Sequence, residues 1–387
     1  GATGQGGTIT LSSANSVEAG AKTGALTITG NLNANGPTQG GNIKLSSSGG
    51  LLSVTGNLNA NATSATLFGS GGKITLTGSS ISSLAVTGDI NANSAVIGSG
   101  GVVTIAINNT GTFTVGNAAT SSGINGFVSA TGAGSGGAAS AGGTLSITNS
   151  AAVSGGVSPT IAITGSAITD NINLAPQGAS GDGGNLTLSV ANGSLVLPAG
   201  LISMNGTGAG KGGSITLATA PAILIGTGAG QYSLAAESPL VGGTGGGGII
   251  RLTSTGGSIT VANAGALSVD SRNGSGGEIH LLASSNVNVV GALNASATGS
   301  GSGGQIEVVG PAGITVSGAV TANGLSLTST LTGDAVSLKS ANGVVFVGGD
   351  VAANGGLANG GAINIEANGT TSFIIGAGAT AAAGGNL

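Results

Sequence analysis

The ionisable side chains are few, and three of them fall at a shared place in the repeat, with a fourth close by. Arg251, His280 and Glu307 hold the same place in three successive copies of one phrase, and Glu278 lies two residues before His280. The copies read Gly247-Gly248-Ile249-Ile250-Arg251-Leu252, Gly276-Gly277-Glu278-Ile279-His280-Leu281 and Gly303-Gly304-Gln305-Ile306-Glu307-Val308. Successive side chains of a strand point to opposite faces, so Glu278 and His280 share the face opposite Ile279 and Leu281. If the copies stack, the four groups form a ladder on one flank. Such a ladder could process a glycan, the cation stabilising charge while His280 or Glu307 moves a proton. A hydrolase wants a cleft with paired carboxylates, and a lyase wants several basic groups. Neither is legible. Opposite charges on neighbouring strands also attract by a few tenths of a kcal/mol without any catalytic role. The ladder is therefore read as a surface charge pattern, and the chain as a protein with no catalytic residues rather than an enzyme.

Other chemistries are poorly supplied. His280 is the only histidine, which removes any Ser-His-Asp set, and cysteine is absent, which removes disulfides and thiolate metal sites. Calcium-binding Gly- and Asp-rich repeats are approached once, at Gly181-Asp182-Gly183-Gly184, without recurrence. Gly226-Thr227-Gly228-Ala229-Gly230 resembles a nucleotide loop but lacks the Lys-Ser/Thr and its context. No cofactor and no metal are expected. Seven Lys and Arg are spread thinly and the net charge is −4, so no basic stripe offers itself to nucleic acid. No helical run of apolar residues is long enough to span a membrane.

The ladder depends on the elements that carry it. Phrases of the Gly-Gly type start at residues 6, 40, 71, 100, 142, 183, 212, 247, 276, 303, 333 and 360. The start at Gly333 keeps one glycine. Intervals run from 27 residues, between Gly276 and Gly303, to 42, between Gly100 and Gly142. Self-similarity at this period marks a repeat architecture. A second phrase follows in many copies, as in Leu26-x-Ile28-x-Gly30-x-Leu32-x-Ala34 and Val287-x-Val289-x-Gly291-x-Leu293-x-Ala295. One strand through that central glycine would be weak, so a bend is expected there, with a short strand on each side. The chain thus reads as all-β: a right-handed parallel β-helix, or β-solenoid, of about 12 coils of roughly 27–42 residues with three short strands per coil. Residues 1–387 read as one continuous solenoid domain with less regular coils over 100–247. There, Gly132-Ala133-Gly134-Ser135-Gly136-Gly137 and Gly242-Gly243-Thr244-Gly245-Gly246 read as flexible corner loops.

Glycine at 82 of 387 residues would suit collagen or disorder, but there is no three-residue period, and 39% hydrophobic content with 5% charge opposes disorder. Identical strands would stack about 4.8 Å apart, giving a rod of about 55–60 Å. The outward position of the Gly-Gly strand carries Thr10, Lys44, Thr75, Thr104, Ser146, Thr187, Thr216, Arg251, His280, Glu307, Ser337 and Asn364. Its threonines invite an ice-binding reading, which Lys44, Arg251 and Glu307 interrupt. Asn31, Asn33, Asn35, Asn57, Asn59, Asn61, Asn91 and Asn93 are expected to form amide ladders between coils, with sugar binding as their second use.

The phrases Gly40-Gly41-Asn42-Ile43-Lys44-Leu45 and Val316-Ser317-Gly318-Ala319-Val320-Thr321-Ala322-Asn323-Gly324 resemble filamentous-haemagglutinin-like exoproteins, the β-helical passengers of two-partner secretion and autotransport. The resemblance covers nearly the whole chain. It implies export, a bacterial cell-surface or extracellular location, and adhesive or matrix roles. The family's N-terminal secretion domain is missing from these residues. The chain starts on a repeat phrase without Met, which suggests a processed product or a piece of something longer. The reading is an extracellular structural and adhesive rod, self-associating or lying against neighbouring solenoid segments, with glycans or a host or neighbour cell surface as further partners. End-to-end joining of rods into fibres is a further expectation. The alternative is a carbohydrate-binding or carbohydrate-active protein on the same fold.

Overall fold

Alternating Ile, Val, Leu and Thr after a glycine pair is the pattern of a strand that buries one face. A computed structural model describes residues 4–13, 24–78, 84–116, 122–134, 140–163, 171–197, 200–226, 232–238, 245–262, 265–324, 334–355, 360–368, 374–375 and 381–382. Gly333, residues 135–137, 227–230 and 242–244 lie outside them. The described residues contain no helix, and their long sheets are parallel. The chain forms two compact units, Gly1–Val196 and Leu197–Leu387.

In the first unit, strands Thr8–Ser13, Asn42–Ser47, Lys73–Gly78, Val102–Ile107, Thr144–Asn149 and Asn185–Val190 lie side by side in chain order as the first sheet. Their register is one for one: Ile9 pairs with Ile43, then Ile74, Val103, Leu145 and Leu186. The second unit repeats this with Ser214–Thr219, Ile249–Ser254, Glu278–Ala283, Gln305–Val309, Asp334–Ser340 and Ala362–Ala367. Ile215, Ile250, Ile279, Ile306, Val336 and Ile363 form its column. Each unit is a parallel β-solenoid. Ile74, Leu76, Val103, Ile105, Ile279 and Leu281 are all 0% exposed, and each such burial contributes about 1.5–3 kcal/mol.

The second phrase bends where its glycine stands. Leu52–Thr55 belongs to a second sheet and Leu58–Asn59 to a third; Asn286–Val289 and Leu293–Asn294 divide in the same way. Gly30 and Gly56, at two of these bends, have φ of 108° and 143°, which a side chain would not tolerate.

The need for paired glycines at coil starts such as Gly40-Gly41 and Gly71-Gly72 is steric. The Ala92 carbonyl closes the third strand of its coil. It accepts a hydrogen bond from Gly101 N–H of the next phrase at 2.7 Å, and a Cβ on Gly71 would lie 1.9 Å from the same oxygen. The Ala60 carbonyl stands likewise between Gly40 and the N–H of Gly72. At the next corner an inward hydroxyl faces turn carbonyls: the single O–H of Ser47 has Gly50 O at 2.7 Å and Gly24 O at 2.8 Å as its alternative acceptors.

Three strands per coil does not hold in the coil beginning at Gly100. Thr112–Val115 and Gly123–Ile124 both enter the second sheet, where Ile124 pairs with Val86 on one side and Val115 on the other. The extra residues return the chain to the same face and add a rung. Buried amides fix this detour: Asn109 Nδ2 donates to Ser122 Oγ at 2.7 Å, and Asn149 Nδ2 donates to Asn109 O at 2.9 Å. The expected flexible loop at Gly132–Gly134 is also partly sheet, since Gly132 bridges Pro176 and Ala133 bridges Gly98. Just before their Gly-Gly phrases, Ser140–Ala141 and Gly181–Asp182 pair as a short parallel sheet.

Candidate functional site

The ladder inferred from spacing is assembled within the second unit. Arg251 pairs in register with His280, and His280 with Glu307. Glu278 shares the strand and face of His280. His280 Nδ1 lies 3.0 Å from Glu307 Oε2, and Nε2 lies 3.1 Å from Glu278 Oε2. The imidazole is 12% exposed, against 36% for Glu307 and 48% for Glu278. A neutral ring has one N–H, so both contacts are hydrogen bonds only when each nitrogen carries a proton. The imidazole thus has a carboxylate against each ring nitrogen. With both nitrogens engaged, none is left to accept a proton from a substrate. Arg251 is exposed and makes no hydrogen bond or ion pair among the described residues. Exposed charges of this kind stabilise by about 0–1 kcal/mol. Among the described residues, no group of three His, Cys, Asp or Glu side chains is arranged to hold a metal ion.

The third sheets are more regular. In the first unit, the Asn35 side chain accepts from the backbone N–H of Asn61, Asn61 from Asn93, and Asn93 from Thr131, each at 2.8 Å. Four residues earlier in each coil, Asn31 accepts from Asn57 N–H and Asn57 from Asp89 N–H, both at 2.8 Å. Between these rows, Asn59 Nδ2 donates to Asn33 Oδ1 at 2.7 Å and Asn91 Nδ2 to Asn59 Oδ1 at 3.0 Å. The amide ladders read from the sequence are therefore present.

No family model, no curated protein and no solved structure matches the chain.

The second unit continues the device with mixed chemistry, which the sequence reading missed. Ser296 N–H donates to Asp270 Oδ1 at 2.6 Å, Asn323 N–H to Ser296 Oγ at 3.1 Å, and Asn354 N–H to Asn323 Oδ1 at 2.8 Å. Glu237 stands on the rung before Asp270. It receives a hydrogen bond from Ser268 Oγ, and its N–H donates to Asn205 Oδ1 at 2.7 Å. Burial pushes the Asp270 carboxyl above its ordinary range. The Ser296 N–H opposes that shift, the Glu237 charge adds to it, and a hydrogen bond from Ser268 opposes it more weakly. The available signal was the position after the inward Met, Ala or Val of the third strand, where Asn205, Glu237, Asp270, Ser296, Asn323 and Asn354 align.

Two grooves flank these sheets. One, of about 390 Å³, lies on the first sheet of the first unit, where Lys44 and Lys73 stand among Thr8, Thr10 and Thr75. The other, of about 550 Å³, runs along the third sheet of the second unit from Asp270 to Asn354. No helix among the described residues is long and apolar enough to cross a membrane.

Proposed function

We propose that this chain is a structural and adhesive rod of a bacterial surface or extracellular matrix, akin to filamentous-haemagglutinin-like exoproteins. The observation that carries the reading is the coil-to-coil locking of outward side chains. Amides and hydroxyls from Asn31 to Thr131 are held by hydrogen bonds at each rung. A surface fixed in that way presents one repeated chemistry to a partner at little cost in side-chain entropy. Backbone pairing gives stiffness without disulfides, which suits an exported chain lacking cysteine.

End-to-end joining is part of the proposal because each first-sheet strand pairs one for one with the next, as Ile9 does with Ile43, so that one rung is a template for another. Electron microscopy of the purified chain, with sedimentation in parallel, tests both parts. The expected particles are rods whose lengths fall in multiples of one molecule. Rods of a single length would remove the fibre, and rounded particles would remove the rod.

A carbohydrate-active enzyme on the same fold would centre on Arg251, His280 and Glu307. The engagement of both His280 nitrogens by carboxylates weighs against it. Turnover of a polysaccharide by the unaltered chain, abolished in His280→Ala, would reverse that judgement.

A further inference from the structure

We infer that the third-sheet groove of the second unit binds an extended, uncharged polysaccharide through amide donors that the ladder leaves unused. This rests on the display-rod reading, and supplies it with a ligand and a place.

The groove, of about 550 Å³, spans four successive rungs, a size ordinary for ligand sites. Its polar groups are set by the ladder. Asn323 Oδ1 is occupied by Asn354 N–H at 2.8 Å, and Asn294 Oδ1 by Thr321 Oγ1 at 2.9 Å. An amide has one acceptor oxygen and two N–H donors on its nitrogen. Fixing the oxygens fixes the nitrogens, and neither Nδ2 has a hydrogen-bond partner among the described residues. Asn294 and Asn323 stand on adjacent rungs, about 4.8 Å apart along the stack, and two positions apart along the strand, so the two donors lie on a diagonal that an extended chain of sugar rings can follow. Asp270 at one end, which takes hydrogen bonds from Ser296 N–H and Ser268, keeps further acceptor lone pairs, and the exposed Thr298 adds a hydroxyl at the rim.

Charge narrows the ligand class. Among the described residues, Asp270 is the only ionisable group lining the groove, and no cation or aromatic ring lines it. An anionic chain would meet a carboxylate without compensation. Ring and hydroxyl oxygens match the free amide donors, and sugar hydroxyls match Asp270. The Lys44 and Lys73 groove has the opposite character and lacks this ladder of fixed donors.

Affinity electrophoresis through gels containing a β-glucan, an α-glucan, a galactomannan or the anionic polymer alginate tests the assignment. At least one neutral polymer should retard the unaltered chain. The pair Asn294→Asp and Asn323→Asp keeps each ladder acceptor and deletes each free donor. It should weaken retardation about tenfold or more, as expected for two lost hydrogen bonds, with its unfolding midpoint little changed. Thr298→Arg, at an exposed position, should block the groove independently should the first pair misfold. Absence of retardation by every neutral polymer, retardation by alginate alone, or unchanged retardation in a folded variant would each overturn the site. Microscopy of the same samples separates the two claims. Rods without retardation refute the site alone, and retardation by rounded particles refutes the rod.

Discussion

At the scale of single residues, the ionisable groups of this chain are placed by the ladders. Asp270 is the instructive case. Its carboxyl is more readily protonated in the folded chain than in the unfolded one, because burial disfavours its charge. The folded state then binds more protons, so the contribution of Asp270 to stability is full below the ordinary carboxylate pKa, about 3.9. It is lost as pH rises from there through the raised value. Asp270→Asn keeps an acceptor for Ser296 N–H and removes the charge facing Glu237. It should raise stability at pH 7 by about 1 kcal/mol or less and leave it unchanged near pH 3. Urea denaturation at the two pH values reads this, and an equal effect at both would show that charge is not involved. The Arg251, His280 and Glu307 alignment was legible because all three follow a Gly-Gly phrase at a fixed offset. The Asp270 row was less legible because Glu, Asp, Ser and Asn alternate in it. Only the geometry reveals that Asn205, Asp270, Ser296 and Asn323 each accept the backbone N–H of the next rung, while Glu237 takes Ser268 Oγ instead.

At the scale of elements, the turn explains the repeat. Two glycines recur because a third-strand carbonyl occupies the space a Cβ on the first would need, and the glycine carbonyl one rung back occupies that of the second, as Gly41 O does beneath Gly72. Gly71→Ala would press its methyl to 1.9 Å from Ala92 O and 2.5 Å from Gly101 N, both backbone atoms that cannot swing away. It should cost about 3 kcal/mol. By contrast, a Cβ on Gly7 meets nothing within 4 Å, and Gly7→Ala should change stability by under about 0.5 kcal/mol. Thermal or chemical unfolding of the two variants compares them directly. Equal costs would mean that the corner is not packed as described. The strands, the bend at the central glycine and the inward columns could be read from alternation alone. The extra rung at Gly123–Ile124 could not, since Gly-Ile carries no strand pattern and the pairing depends on Asn109 and Asn149 buried far apart in sequence.

At the scale of the whole molecule, the functional reading depends on coils that wind so that each phrase lies upon the next. The strand register within each unit supports this, and rods, fibres and polysaccharide binding are proposals built upon it. The absence of cysteine makes the winding directly testable, because any introduced pair is the only pair. Thr253 and Leu282 are 29 positions apart and pair in register on the outer face of the first sheet, and Leu282 pairs in turn with Val309. Directly paired residues on adjacent parallel strands fall within reach of a disulfide, and residues two rungs apart do not. Mild oxidation of a Thr253→Cys, Leu282→Cys chain should give an intramolecular bond in high yield, while a Thr253→Cys, Val309→Cys chain should stay reduced. A bond in the second chain and none in the first would contradict the parallel, in-register stack from which the whole account is derived.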